Sequence, residues 1–351
     1  MAISSSSPKP IRTLIVDDSK LMREILSEIL KGDPEIEVVG TANDPFDARE
    51  KIKALNPDVI TLDINMPRMD GLSFLEKIMT LRPMPVLMIS SLTEKGARET
   101  FEALELGAVD YITKPTTEIH NSFFAMSTEI CTKVKIAAKT NIKARTPSKA
   151  YDSTSIVVDL AKAQRISLVA IGSSTGGVEA LTKVLTCLPE TCPPILITQH
   201  MPPKFTASFA ARLDKTCKPK ICEAEDGHFI ERGTIYIAPG DRHLLVVRKN
   251  GRMAISLSDE GNVSGHKPSV DVLFSSVAEY GAHGTLGIIL TGMGRDGAKG
   301  LKKMLDAGAK TYGQNEETAL IYGMPRAAKE IGAVEKEIPL KKVASVIMGV
   351  D

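Results

Sequence analysis

No apolar run in this 351-residue chain approaches the roughly twenty residues needed to cross a bilayer. The first ten residues, MAISSSSPKP, lack the apolar core of a secretory signal, so a cytoplasmic chain is expected. Net charge is nearly absent. The 44 Lys and Arg against 43 Asp and Glu leave a formal +1, which argues against a broad electrostatic grip on nucleic acid or on an anionic membrane. Cysteines are few and odd in number, five in all, which fits reduced thiols rather than a disulfide framework. Cys187 and Cys192 are spaced CxxxxC, as are Cys217 and Cys222. That spacing is looser than structural zinc usually takes, and they are read as unrelated thiols. There is no internal repeat beyond two αβ-type halves. What remains is ordinary for a globular protein, 43% hydrophobic and 25% charged, with length enough for two domains.

Residues 11–115 alternate strand and helix patterns. IRTLIVD, IEVVG, DVITLD, PVLMIS and AVDYIT are strand candidates with helical stretches between them. The first helix has Ser19 as N-cap and Leu21, Met22, Ile25, Leu26, Ile29 and Leu30 at helical spacing. Five strands with intervening helices predict a doubly wound parallel α/β sheet, closed by a helix over 118–138. The stretch 139–155 is polar and without apolar periodicity, and reads as a mobile linker. A second α/β pattern follows, with strands in RISLVAIG, PILITQH, TIYIAP, TLGIIL and KTYGQ. LLVVRKNGRMAISL, with Asn-Gly between alternating runs, predicts a β-hairpin. The expected domains are 10–135, a linker at 136–158, and a larger doubly wound α/β domain at 159–350.

In the first half, Asp17 and Asp18 end the first strand, and Asp63 ends the third. Ligands of open parallel sheets bind outside the carboxyl ends of strands near a topological switch point. Three converging carboxylates repel one another unless a cation joins them, and an all-oxygen set with open positions suits Mg²⁺. Ser90 ends the fourth strand, and Lys114 ends the fifth before Pro115. Such a set handles a phosphoryl group. Asp63 would be its nucleophile, Mg²⁺ and Lys114 would neutralise its charge, and Ser90 would hydrogen-bond an oxygen. These residues, with LDINMPRMDG around Asp63, resemble the response-regulator receiver domain over roughly residues 10–135. The resemblance implies a flavodoxin-like fold and phosphorylation of Asp63 by a histidine kinase. It implies Mg²⁺ bound by Asp18, Asp63 and the carbonyl of Asn65, with Asp17 behind them. It places Tyr111 as an aromatic switch residue.

In the second half, strand SLVAI runs into Gly172-Ser173-Ser174-Thr175-Gly176-Gly177 and then a helix. This matches G-x-S-x-G centred on Ser174. A phosphate-cradling turn is the alternative, but the dinucleotide fingerprint is absent. His200 ends the strand one helix later, and a right-handed βαβ unit sets the two strand ends side by side, which makes it the base candidate. His120, His228, His243, His266 and His283 lack a strand-end context, although His243 and His266 lie in glycine-rich loops that could border a cleft. Asp296 in TGMGRDG is the candidate acid, with Asp241 in APGD as runner-up and a simple N-cap as the competing role for Asp296. The order Ser, His, Asp differs from the α/β-hydrolase order.

IGSSTGG, ITQHMPP, IAPGD, HKPSVDVLF, LTGMGRDG and QNEET, in that order, resemble the catalytic domain of the CheB-type chemotaxis protein-glutamate methylesterases over roughly 160–350. That resemblance makes Ser174 the nucleophile, His200 the base and Asp296 the orienting acid, and gives the backbone N–H groups of Thr175 and Met293 to the oxyanion. Ser173 stands where Ala is frequent in the family, with little effect expected. The two resemblances together imply a phosphorylation-activated serine hydrolase. It removes γ-methyl esters from glutamates of methyl-accepting chemoreceptors and also deamidates receptor glutamines, needs no cofactor for hydrolysis, and receives its phosphoryl group from a CheA-type kinase. It works beside membrane receptors without inserting, binds no nucleic acid, and is expected to be a monomer. A receptor glutamine deamidase and a non-enzymatic, phosphorylation-gated binding module are the rival readings.

Overall fold

In a computed structural model, residues 9–115, 119–140, 142 and 160–350 are described. Most of the stretch expected to be the linker lies outside them. The chain divides into two compact units, residues 1–148 and 149–351.

The first unit runs β1 (Ile11–Val16), α1 (Lys20–Lys31), β2 (Ile36–Ala42), α2 (Pro45–Leu55), β3 (Val59–Asp63), α3 (Gly71–Leu81), β4 (Val86–Ser91), α4 (Glu94–Leu106), β5 (Asp110–Lys114), α5 (Ile119–Ala125) and α6 (Ser127–Lys139). Its strands form one parallel sheet in the order β2-β1-β3-β4-β5. This is the flavodoxin-like order expected from the sequence. Local chemistry sets the helix starts. Ser19 caps α1 by accepting from Met22 N, and Asp44 caps α2 by accepting from Phe46 N and Asp47 N with Pro45 at the first position. The closing helix, expected as one piece over 118–138, is broken at Met126 and continues to Lys139.

The second unit runs α7 (Leu160–Arg165), β6 (Leu168–Ser173), α8 (Gly177–Leu185), β7 (Ile195–Gln199), α9 (Phe205–Thr216), β8 (Lys220–Glu223), β9 (Thr234–Ile237), β10 (His243–Lys249), β11 (Arg252–Ser258), α10 (Val270–Gly281), β12 (Thr285–Ile289), α11 (Ala298–Asp306), β13 (Lys310–Gln314), α12 (Met324–Glu330), β14 (Lys336–Ile338) and α13 (Leu340–Ile347). Seven strands form a second parallel sheet, β14-β13-β12-β6-β7-β9-β8. Every residue of β6 is buried, as a strand covered on both faces requires. The Asn250-Gly251 hairpin joins β10 and β11 in a separate antiparallel pair, with φ of 52° and 76° at its two turn residues.

From β6 the chain crosses one way to β7, β9 and β8. From β12 it crosses the other way, to β13 and β14. The strand order therefore reverses between β6 and β12, and a crevice opens outside their carboxyl ends. Ser174, His200 and Asp296 follow the ends of β6, β7 and β12 respectively.

Candidate active site and phosphoacceptor site

The pairing of β6 with β7 ends at Ser173 opposite Gln199, and His200 N donates to the Ser173 carbonyl at 3.2 Å. The next residue of each strand leaves the sheet beside the other, so the nucleophile candidate and the base candidate are neighbours by register. On the other flank, Ser174 N donates to Thr291 O at 3.0 Å. Gly176, at φ +78°, then turns the chain into α8. This left-handed conformation suits glycine.

His200 is held through Nε2, which lies 2.8 Å from Asp296 Oδ2. With a carboxylate accepting there, Nε2 carries the hydrogen and Nδ1 is the basic atom. Nδ1 is buried and has no protein partner, so the serine–histidine hydrogen bond is open in this structure. Free enzymes commonly close it only around substrate.

Asp296 is 1% exposed and accepts four hydrogen bonds. Besides His200, its donors are Ser269 Oγ at 2.8 Å, Val270 N at 2.7 Å and Asp271 N at 3.0 Å. The last three are the cap and first turn of α10, so the carboxylate sits on the positive end of that helix. Burial pushes its pKa up, but the His200 contacts and the two helix N–H groups outweigh that and hold it below the usual carboxylate value. The competing role as an N-cap of the helix that follows does not apply. Gly297 occupies that position, and Asp296 caps a helix 26 residues upstream instead. The arrangement is reciprocal, because Asp271 in the first turn of α10 accepts from Gly300 N in the first turn of α11 at 2.7 Å. Asp241, the runner-up, is 70% exposed at its side chain and pairs with Lys267 at 3.5 Å.

The loop after β12 closes on Ser174. A Cβ on Gly292 would stand 2.9 Å from Ser174 Cβ and 2.2 Å from Met324 Sδ, so only glycine permits this approach. Gly292 N donates to Ile321 O, and Gly292 O accepts from Gly323 N and Met324 N. These bonds fix the backbone that leads into Met293.

Two buried glutamines and a serine brace the site without an assigned role in the sequence reading. Gln199 Nε2 donates to the carbonyls of both Ser174, at 2.9 Å, and His200, at 3.3 Å. Its Oε1 accepts from Ser173 Oγ at 2.7 Å, which gives the hydroxyl of Ser173 a place in the network. Gln314 Oε1 accepts from Thr291 N at 2.8 Å. The signal available was modest: both glutamines end strands, where a polar residue must find buried partners.

In the first unit, Asp17, Asp18 and Asp63 each offer an oxygen, all within 4.8 Å of one another. Among the described residues this is the group able to hold an ion, and the cysteine pairs contribute none. Lys114 Nζ lies 2.8 Å from Asp63 and 3.1 Å from Asp17. Burial pushes the Asp63 carboxyl up to about 6, against the pull of Lys114 and with added push from the neighbouring acids. Burial disfavours the Lys114 ammonium, but Asp63 and Asp17 more than compensate and raise its pKa. An oxygen-only donor set that a lone lysine does not fully neutralise fits a hard divalent cation. Asn65 is exposed beside this cluster in sequence. Ser90 is buried at the end of β4, yet its hydroxyl is turned to α4: it donates to Gly96 O at 3.1 Å and accepts from Thr100 Oγ1 at 2.7 Å. Tyr111 is 7% exposed, with Lys133 Nζ 5.2 Å from its ring centre.

A sequence profile of the CheB methylesterase family matches residues 169–347, and one of the response regulator receiver domain matches residues 13–122. The chain belongs to the CheB methylesterase family. A protein-glutamate methylesterase/protein-glutamine glutaminase of Rhizobium etli is 52% identical, over 97% of this chain and 96% of its own. One from Caulobacter vibrioides is 54% identical, over 96% of this chain and 97% of its own. The crystal structure of the Thermotoga maritima CheB methylesterase catalytic domain is 38% identical. It covers 52% of this chain and 97% of its own, with a TM-score of 0.50. A receiver followed by a CheB-type α/β unit is thus the architecture of this family member.

Proposed function

We propose that this chain is a phosphorylation-activated protein-glutamate methylesterase of chemoreceptors. The observation that carries the reading is the His200–Asp296 pair, fixed on the α10 N-terminus beside Ser174 at the reversal point of the sheet. The near full-length likeness to proteins named for this activity supports it.

Ser174 Oγ attacks the γ-carbonyl of a methylated glutamate, and its proton passes to Nδ1 of His200. Asp296 stabilises the resulting imidazolium, and the oxyanion is met by the N–H groups of Thr175 and Met293. Nδ1 returns the proton to the departing methoxide, methanol leaves, and water hydrolyses the acyl-enzyme by the same relay. A glutamine amide follows this path with ammonia as the leaving group, in keeping with the second activity in the relatives' names.

Control resides in the receiver, with Asp63 accepting a phosphoryl group from a CheA-type histidine kinase. Asp18, Asp63 and the Asn65 carbonyl would hold Mg²⁺, which when bound offsets the negative charge gathered around the incoming phosphoryl group. Lys114 neutralises it from the β5 side, and Ser90 turns from Gly96 to a phosphoryl oxygen, with Tyr111 as the switch residue. No helix among the described residues is long and apolar enough to cross a membrane, and we place the protein in the cytoplasm, beside its receptors.

The test is methanol release from methyl-labelled receptor membranes, with and without a small acyl phosphate and Mg²⁺. Release should rise with the phosphodonor, vanish in Ser174→Ala, and stay low and unstimulated in Asp63→Asn. Wild-type turnover in Ser174→Ala would sink the triad.

A further inference from the structure

The base is gripped on an edge by Asp296 and on a face by a second histidine. The ring of His266 stacks on that of His200, with centroids 3.7 Å apart and planes 12° from parallel. A tight turn delivers it there. Val263 and His266 exchange both backbone hydrogen bonds, at 3.1 and 3.0 Å. Between them Ser264 and Gly265 have φ of 53° and 85°, the positive pair of a type I′ turn. The turn is fastened to the frame that holds the acid. Ser264 Oγ donates to Asp271 Oδ2 at 2.9 Å, and Asp271 N in turn donates to Asp296. The carbonyl of Gly261 accepts from His243 Nε2 at 3.0 Å, and His243 Nδ1 accepts from Ser269 N at 3.1 Å. One hydrogen-bonded frame at the start of α10 therefore sets the acid, the turn and the stacked ring together.

We propose that His266 is a positioning residue for the base, fixing the plane of the His200 ring with a flat face that carries no permanent charge. The proposal rests on the reading of His200 as the general base. An aromatic face 3.7 Å away blocks rotation of the His200 ring out of the plane in which Nε2 meets Asp296. A permanent positive charge at that separation would oppose the imidazolium formed during acylation.

Three variants of the full-length protein separate these effects, assayed for methanol release from methyl-labelled receptor membranes with acyl phosphate and Mg²⁺ present. His266→Ala removes the face and should lower kcat by about tenfold or more, with KM within about twofold, because misaligned groups lose rate rather than binding. His266→Phe restores a flat uncharged face and should return kcat to within about threefold of wild type. His266→Arg offers a flat but permanently charged face and should fall at least about tenfold below the Phe variant. Each variant is checked for an unchanged unfolding midpoint, and if the Ala variant does not fold, the Phe–Arg comparison carries the test. Wild-type kcat in His266→Ala, an Arg variant equal to the Phe variant, or a loss confined to KM would overturn the proposal. Ser174→Ala and His200→Ala run alongside. Turnover in those two would refute the triad, whereas their inactivity beside a fully active His266→Ala refutes only the stacking role.

Discussion

Asp296→Asn changes one atom in a carboxylate that serves two structures at once, and the two effects can be weighed separately. The carboxylate accepts from His200, Ser269, Val270 and Asp271. An amide keeps one oxygen and turns an N–H₂ toward the donors of the other. If the oxygen takes the Oδ2 place, the Asp271 N–H loses its acceptor. If it takes the Oδ1 place, Val270 N and His200 Nε2 lose theirs, and the imidazole is driven to the wrong tautomer. Either way a buried backbone N–H is stranded, at about 1–3 kcal/mol. The negative charge at the α10 N-terminus goes too, for about another 1 kcal/mol. Relief from burying that charge offsets part of the sum, leaving a net loss on the order of 2–4 kcal/mol. Turnover should fall on the order of 10³–10⁴-fold, the scale expected when a triad carboxylate becomes an amide. Methanol release reads the second effect, and hydrogen exchange of the Val270 and Asp271 amides reads the first. Ser269→Ala is the control, since it removes one donor to Asp296, for about 1 kcal/mol, and leaves the pair with His200 in place. Retained protection at Val270 and Asp271 in the Asn variant would refute the helix-capping account. Turnover within about threefold of wild type would refute the role given to the Asp296 charge in stabilising the His200 imidazolium.

Other consequences are equally direct. Asp63 titrates at about 6 in the folded protein, above its unfolded value, so the folded state binds this proton more tightly. Its contribution to stability, about 3 kcal/mol, is present in full below pH ~4 and is lost as pH rises through about 6. Urea unfolding of the receiver unit should weaken over that window, and Asp63→Asn should flatten the dependence; an equal pH slope in both proteins would contradict it. Gly292→Ala drives a methyl group against Ser174 Cβ and Met324, and should cut kcat about 10²-fold for a stability loss of about 1–3 kcal/mol. An unchanged kcat in a folded variant would show that the loop yields freely. Gln199→Leu strips the shared donor from the Ser174 and His200 carbonyls and should cost about 1–3 kcal/mol. Thermal unfolding checks it, and a midpoint equal to wild type would deny Gln199 its bracing role.

The parts of the structure that follow from local sequence were legible in it. Apolar runs ending in acid, Ser or His announced the main strands, and Asn250-Gly251 announced the hairpin. The short edge strands β8 and β14, and helices α12 and α13, escaped. Four and three residues carry no readable alternation, and the pattern beyond KTYGQ offered no break clear enough to assign. At the site, Ser174, His200 and Asp296 could be named because each follows a strand of the second sheet and sits in a recognisable motif. Ser269, Gln199 and Gln314 could not, since each acquires its role from a partner 23 to 27 residues away. Ser90 shows the converse. Its place at the end of β4 was readable, but its hydroxyl faces α4, where it donates to the Gly96 carbonyl and accepts from Thr100 Oγ1.

The strand order of the second sheet also bears on when the protein can first act during its own synthesis. β6 and β7 pair early, but β6 lacks its other neighbour until β12 has been made, more than a hundred residues later. Ser174 can take its bond from Thr291, and His200 can meet Asp296, only after that. A half-finished chain on the ribosome therefore carries the proposed nucleophile and base but no partner for either. Long-range parallel pairing is slow to form, and here that slowness acts as a latch. Hydrolytic power arrives in one step, with completion of the sheet, after the receiver unit has already left the exit tunnel.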